Sequence, residues 1–128
     1  MAGFFIWKIR CAELTNNQNW TGTSKADKVY IDCADSVQVN TGADNDYIYN
    51  YLGFYETINA GKGNDTIISY SGVRSSINAG AGDDKISLNG GSSNVVTVVG
   101  GTGNDTIYSS GNKTLHRYAA GDGNGSYL

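Results

Sequence analysis

From about residue 27 onward, apolar residues recur in two fixed columns. One runs Val29, Ile48, Ile67, Ile86 and Ile107, with Tyr127 last; the other runs Val39, Ile58, Ile77, Val98 and Tyr118. Polar residues such as Thr66, Lys85 and Thr106 stand beside the first column, and an alternation of period two belongs to strands with one buried face. The columns are separated by turns of nearly constant wording: Thr41-Gly-Ala-Asp-Asn-Asp46, Ala60-Gly-Lys-Gly-Asn-Asp65, Ala79-Gly-Ala-Gly-Asp-Asp84 and Gly100-Gly-Thr-Gly-Asn-Asp105, with a failing copy at Ala120-Gly-Asp-Gly-Asn-Gly125. The closing acid returns after 19, 19 and 21 residues. Nineteen residues before Asp46 stands Asp27, in a turn that keeps the acid without the glycines. A second, neutral type of turn closes the other end of each repeat, around Gly53, Gly72, Gly90-Gly91 and Gly111.

Two short strands and two turns in 19 to 21 residues make one coil of a stacked array. The predicted fold is all-β: a right-handed parallel β-roll, or β-solenoid, of about five to six short coils, roughly 4.8 Å apart along the axis. Residues 1–20, which hold both tryptophans and fall outside the repeat, are expected to form an N-terminal cap, and 21–128 the roll. The chain stops within the sixth turn, so an open end is expected to meet a neighbouring domain or a second copy.

Composition narrows the function classes. Eighteen Gly, 14 Asn and 10 Asp stand against two Glu and no Pro, which argues against helices. The longest apolar run near the start is Phe4 to Trp7, so neither a membrane span nor a secretory leader is expected. A net charge of −3 with scattered Lys and Arg offers no footprint for nucleic acid. The one histidine, His116, has no nucleophile motif around it, and no enzyme is expected. Cys11 and Cys33 suit a single bridge or two buried thiols equally.

The chemistry sits in the glycine-rich turns. Stacking places Asp27, Asp46, Asp65, Asp84 and Asp105 in one column, where bare carboxylates repel. A cation among them removes the repulsion. Hard oxygen donors, from carboxylates and from carbonyls turned inward by glycine, suit calcium, whereas zinc or copper would call for His or Cys. Ions shared between successive turns would staple coils whose thin core is otherwise short of apolar surface.

The turn Gly100-Gly-Thr-Gly-Asn-Asp-Thr-Ile-Tyr108 resembles the hemolysin-type, or repeats-in-toxin, calcium-binding motif G-G-x-G-x-D-x-U-x. The copies at Ala60 and Ala79 depart only at the first glycine, and the copy at Thr41 also has Asp44 for the inner glycine. The resemblance implies side-chain ligation by Asp46, Asp65, Asp84 and Asp105. It implies carbonyl ligation by Thr41, Ala43, Ala60, Lys62, Ala79, Ala81, Gly100 and Thr102. Asp27 and Asp122 are weaker members of the set. About three Ca2+ sites are expected, between the turns ending at 46, 65, 84 and 105, all along one edge. The family further implies a structural module of a secreted or cell-surface bacterial protein that folds on meeting extracellular calcium.

Two readings from another class use the roll as a scaffold. Nine tyrosines, four of them between Tyr47 and Tyr55, suit an adhesin-type surface for carbohydrate, although cross-strand packing explains them as well. An ice-binding face would need a threonine ladder, and the column here reads Ala43, Lys62, Ala81, Thr102, Asp122. A third reading makes the roll an accessory module of a polysaccharide-modifying enzyme, with Arg74 in its groove.

Overall fold

The computed structural model describes residues 5–10, 19–70, 74–89, 95–110, 113–117 and 126–127. It is built of thirteen strands among these residues and no helix. They are β1 (Phe5–Arg10), β2 (Asn19–Thr21), β3 (Asp27–Asp35), β4 (Gln38–Gly42), β5 (Tyr47–Phe54), β6 (Thr57–Lys62), β7 (Thr66–Ser69), β8 (Ser75–Ala81), β9 (Lys85–Leu88), β10 (Val95–Thr102), β11 (Thr106–Ser109), β12 (Lys113–Arg117) and β13 (Ser126–Tyr127). Odd-numbered strands form one sheet and even-numbered strands the other, each in sequence order and with every pairing parallel. Successive strands therefore never pair with each other. Each crosses to the opposite sheet and pairs one repeat later, which is a parallel β-solenoid. The first twenty residues supply β1 and most of β2, the terminal strands of the two sheets.

Both apolar columns stand in register. Val29, Ile48, Ile67, Ile86 and Ile107 face one another along the first sheet, and Val39, Ile58, Ile77 and Val98 along the second. All nine are at most 1% exposed, and with Ile31, Val37, Ala60, Ala79, Leu88 and Val96 they make the single core cluster of the described residues. Alternation along each strand follows from this: β6 reads buried at Ile58 and Ala60 and half-buried at Thr57 and Asn59. In the last coil the register of this column departs from the repeat, where Val98 pairs with His116 instead of Tyr118. A slip of two residues keeps each side chain on its face, so the inward pattern tolerates it.

The 21-residue interval is absorbed at one place. Ser69 pairs with Leu88, a step of 19, while Ser75 pairs with Val96, a step of 21, so the two extra residues lie between Leu88 and Val95 at the neutral edge. The acidic edge keeps its alignment. A similar tolerance shows in β5, where a bulge opposite Ile31 and Asp32 leaves Tyr51 without a strand partner and about half exposed. Tyr30, Tyr47, Tyr49, Tyr51 and Tyr70 lie on the outer face in a chain of ring contacts with centroids 5.6–6.4 Å apart, Tyr49 and Tyr51 nearly parallel at 7°. These spacings are those of aromatic cross-strand pairs.

The two edges turn by different means. At the acidic edge, Gly42, Gly61, Gly80 and Gly101 hold φ of 99–104° in one column, and a Cβ on Gly80 would overlap the carbonyl of Gly61 one coil away. Here glycine is required twice, by backbone conformation and by close approach of the coils. At the neutral edge Ser36, Tyr55 and Arg74 hold φ of 56–58°, a left-handed conformation that costs a residue with a side chain about 1–2 kcal/mol. We expect Gly80→Ala to lose more than about 2 kcal/mol of stability. Arg74→Gly should gain about 0.5–1 kcal/mol, because relief of the left-handed strain exceeds the entropy glycine costs. Urea unfolding of both variants in calcium checks this, and two losses of similar size would refute the assignment of the edges.

Candidate metal centre

The acidic edge is held by two hydrogen-bonded ladders that run in opposite senses. In the inner one, each Asp carboxylate reaches back to the coil before it. Asp46 Oδ1 accepts the N–H of Asp27 at 2.8 Å, Asp65 Oδ1 that of Asp46 at 2.8 Å, Asp84 Oδ1 that of Asp65 at 2.7 Å, and Asp105 Oδ1 that of Asp84 at 3.0 Å. In the outer ladder the residue before each acid reaches forward. Asn45 Oδ1 accepts the N–H of Asn64 at 2.7 Å, Asn64 Oδ1 that of Asp83 at 2.9 Å, and Asp83 Oδ1 that of Asn104 at 2.9 Å. Sequence reading missed this second ladder as a structural device. Its signal was present, since an Asn or Asp precedes the acid in all four glycine turns.

Using one oxygen in the ladder leaves the other to be accounted for. Asp46, Asp65 and Asp84 are 1–3% exposed, and the Oδ2 atom of each is buried without a hydrogen-bond partner among the described residues. Three buried carboxylate oxygens one coil apart are a strong demand for positive charge, because an unsatisfied ionised oxygen costs far more in the interior than in water. Asp27 differs. Its Oδ2 accepts the Thr23 N–H at 2.7 Å, and both its oxygens lie 3.1–3.2 Å from the Thr23 hydroxyl, so its own turn caps it. Asp105 is 5% exposed, with Oδ2 turned toward Gly100, where a Cβ would crowd it. Asp122 lies outside the described residues, as does Cys11.

The residues present fit a hard cation. Carboxylate oxygens supply charge, and the turn backbone supplies neutral oxygen. Of the carbonyls expected to contribute, that of Ala60 accepts the Thr41 hydroxyl at 2.8 Å, and those of Ala81 and Thr102 accept the N–H of Gly63 and Gly82 at 2.9 Å. Each keeps a second lone pair. Thr41, Ala60, Ala79 and Gly100 are buried at the start of their turns, whereas Lys62, Ala81 and Thr102 are exposed at the tips and Ala43 is half-buried. Among the described residues no three acidic, His or Cys side chains gather at one point. Acidic side chains alone cannot fill the shell of an ion here, so neutral oxygens must complete it.

Electrostatics points the same way. Burial pushes the Asp65 carboxyl up to about 7, with a contrary pull from the Asp46 N–H and further upward pressure from Asp84, Asp46 and Asp44. Burial likewise pushes Asp84 up to about 6, helped by Asp105 and Asp83, and raises Asp46. In the metal-free protein these acids bind protons more tightly folded than unfolded, so folding stability falls as pH rises between about 4 and 7. Bound calcium must displace those protons. We therefore expect chelated protein to be more stable at pH 5 than at pH 8, and calcium affinity to weaken from pH 7.5 to 5.5. Thermal melts and calcium titrations across that range decide it, and a metal-free stability that rises with pH would contradict the ladder's electrostatics.

A model of the RTX calcium-binding nonapeptide repeat matches four copies, over residues 56–73, 74–94 and 97–112. No curated protein and no solved structure gives a match to the chain. The match begins after the coil at Thr41, where Asp44 takes the place of glycine with φ of 75° and so keeps the turn while breaking the motif. Shared ligands give a mutational signature. Asp65→Ala should remove ligands from the sites on both sides of its turn and lower calcium stoichiometry by about two. Asp27→Ala, whose carboxylate is already capped by Thr23, should lower it by one at most. Equilibrium dialysis counts the ions, and equal losses would mean that the acids do not bridge coils.

Proposed function

Because residues 56–112 belong to the RTX calcium-binding nonapeptide repeats, and their coils form a parallel β-solenoid, we propose that this calcium-binding β-roll module folds on meeting calcium and serves as a structural element of a secreted or cell-surface protein. The observation that carries the proposal is the column of buried, unpartnered Oδ2 atoms on Asp46, Asp65 and Asp84. Without positive charge these oxygens oppose stacking; with it they join one coil to the next.

Each residue type has a part in that dependence. The aspartates fix the spacing of the coils through their Oδ1 hydrogen bonds and leave Oδ2 to hold the ion. The glycines let the backbones approach closely enough for the carbonyls of one turn to lie beside the acid of the next. Calcium supplies the charge that balances the acids. The core between the sheets is one layer from each side, and it gains little until coils stack, so metal affinity and folding are a single free energy.

Calcium affinities of extracellular modules, on the order of 0.1–1 mM, separate the calcium-poor cell interior from the outside. A chain of this kind would cross a membrane unfolded and fold beyond it. RTX repeats are typical of secreted bacterial proteins, which supports this setting. No helix among the described residues is long and apolar enough to span a membrane. We propose no catalytic role, since the acids of the glycine turns are committed to the ladder and to charge balance.

Far-UV circular dichroism of the chelated protein, titrated with calcium and with magnesium as control, tests the proposal. The expected result is a cooperative gain of strand signal with a midpoint of about 0.1–1 mM and about three edge ions bound, and little response to magnesium. A strand spectrum unchanged by chelator would sink it.

A further inference from the structure

The two coils that carry β5 to β8 depart from the repeat inside the roll and outside it. Inside, the columns Ile31, Asn50, Ser69, Leu88 and Val37, Glu56, Ser75, Val96 turn polar at their middle steps. Asn50 Nδ2 donates to Glu56 Oε2 and to Ser69 Oγ, and the Ser75 hydroxyl accepts the Glu56 N–H, so hydrogen bonds join this compartment across the roll. Outside, the same two coils present Tyr49, Tyr51 and Tyr70 beside the neutral edge.

Tyr49 stands opposite Ile68 in the ladder, which makes Tyr70 its diagonal neighbour one coil on. Their ring centroids are 5.6 Å apart with the planes tilted by 48°, the shortest ring separation among the described residues. Tyr49 also touches Tyr30 and Tyr51, and Tyr51 touches Tyr70. Tyr51 and Tyr70 are 49% and 45% exposed, open to a reagent in solution, while Tyr49 is half-buried at the centre of the group. Phenylalanine would supply the same cross-strand packing, yet every ring in this chain of contacts carries a hydroxyl. A phenol differs from a plain ring in giving up a hydrogen atom to a one-electron oxidant, and rings this close pass the resulting vacancy from one to the next.

We propose that Tyr49 and Tyr70 form a site of oxidative cross-linking, joined as dityrosine by hydrogen peroxide acting through a haem peroxidase. Each phenol loses one electron and one proton. The two tyrosyl radicals then couple through ring carbons ortho to their hydroxyls, and the hydrogens on those carbons move to the oxygens as the rings become aromatic again. The pair loses two hydrogen atoms in all, and these two electrons and two protons reduce one hydrogen peroxide to two waters. Tyr70, exposed just beyond the end of β7, has the freedom to close the remaining distance. The new bond ties successive coils at the neutral edge, which lacks the aspartate ladders of the other side.

The test treats the whole chain, folded in calcium at low concentration, with hydrogen peroxide and a haem peroxidase. Monomer is separated from linked dimers, its dityrosine fluorescence is read, and tryptic peptides are fragmented by mass spectrometry. Trypsin leaves Tyr70 as the one tyrosine of peptide 63–74, so its partner is read directly. The expected product is a monomer lighter by two hydrogens, with that peptide joined to Tyr49. Tyr49→Phe and Tyr70→Phe keep the rings and should keep the strand spectrum, yet each should lose most of the monomer's dityrosine. Tyr51→Phe should retain most of it. Dityrosine confined to linked dimers, a bond between another pair, or an undiminished yield in Tyr49→Phe would each overturn the proposal.

Discussion

A column of buried carboxylates at the separation of neighbouring strands governs the rest of this molecule. Each Asp of the glycine turns surrenders one oxygen to a main-chain N–H of the coil before it, and that bond fixes both the height and the azimuth of the acid. In Asp46, Asp65 and Asp84 the other oxygen is buried, away from water. A parallel stack repeats whatever it does once, so a single unsatisfied oxygen becomes a row of them. The raised proton affinities of Asp65 and Asp84 express the same conflict in another form: burial and like charge make the bare ionised column unfavourable. Hydrogen bonding settles where the acids stand and leaves their charge unanswered, which is the opening a divalent cation fills.

The glycines follow from that arrangement. The acid can reach the preceding coil only where the two turn backbones lie almost in contact, and at Gly61, Gly80 and Gly101 the space for a Cβ is taken by the carbonyl of the glycine one coil back. Asp44 marks the limit of the rule. It accepts a positive φ in a turn whose predecessor, around Lys25, has no glycine motif. The outer ladder from Asn45 to Asn104 closes the same edge from the solvent side, reaching forward where the inner ladder reaches back. Opposed ladders resist sliding in either direction, so the edge holds register where the core, one layer thick, discriminates weakly between neighbouring positions.

Much of this was legible in the amino-acid sequence because stacking turns sequence period into spatial column. The parallel sheets, the two apolar columns and the acid row all follow from the interval between repeats, and the structure places Val29 to Ile107 and Val39 to Val98 in the expected lines. The last coil was less legible. A slip of two preserves the inward face, so pattern alone cannot tell His116 from Tyr118 as the neighbour of Val98. The outer ladder and the Asn50–Glu56 compartment were hidden for different reasons. The first is periodic but was read as turn composition, since Asn and Asp suit turns with or without a partner. The second carries no motif: Asn50 and Ser69 interrupt one apolar column and Glu56 and Ser75 the other, and their meeting across the roll depends on both sheets at the same height.

The contrast between the edges shows how a repeat fold divides strictness from tolerance. Every coil must present its acid at the same place, and the acidic edge admits no insertion: the interval of 21 is taken up entirely between Leu88 and Val95. The neutral edge accepts those two residues, a bulge at Tyr51 and left-handed Ser36, Tyr55 and Arg74 where glycine would be easier. Strain of that size persists only where surrounding structure imposes it, and here the imposition comes from the opposite edge, whose ladders set the coil spacing that the neutral turns must match. The same freedom explains how two coils can carry a polar interior beside the neutral edge. Displacing apolar groups there disturbs neither ladder, so chemistry unrelated to the repeat can be written into that side of the roll while the acidic side continues to hold the stack.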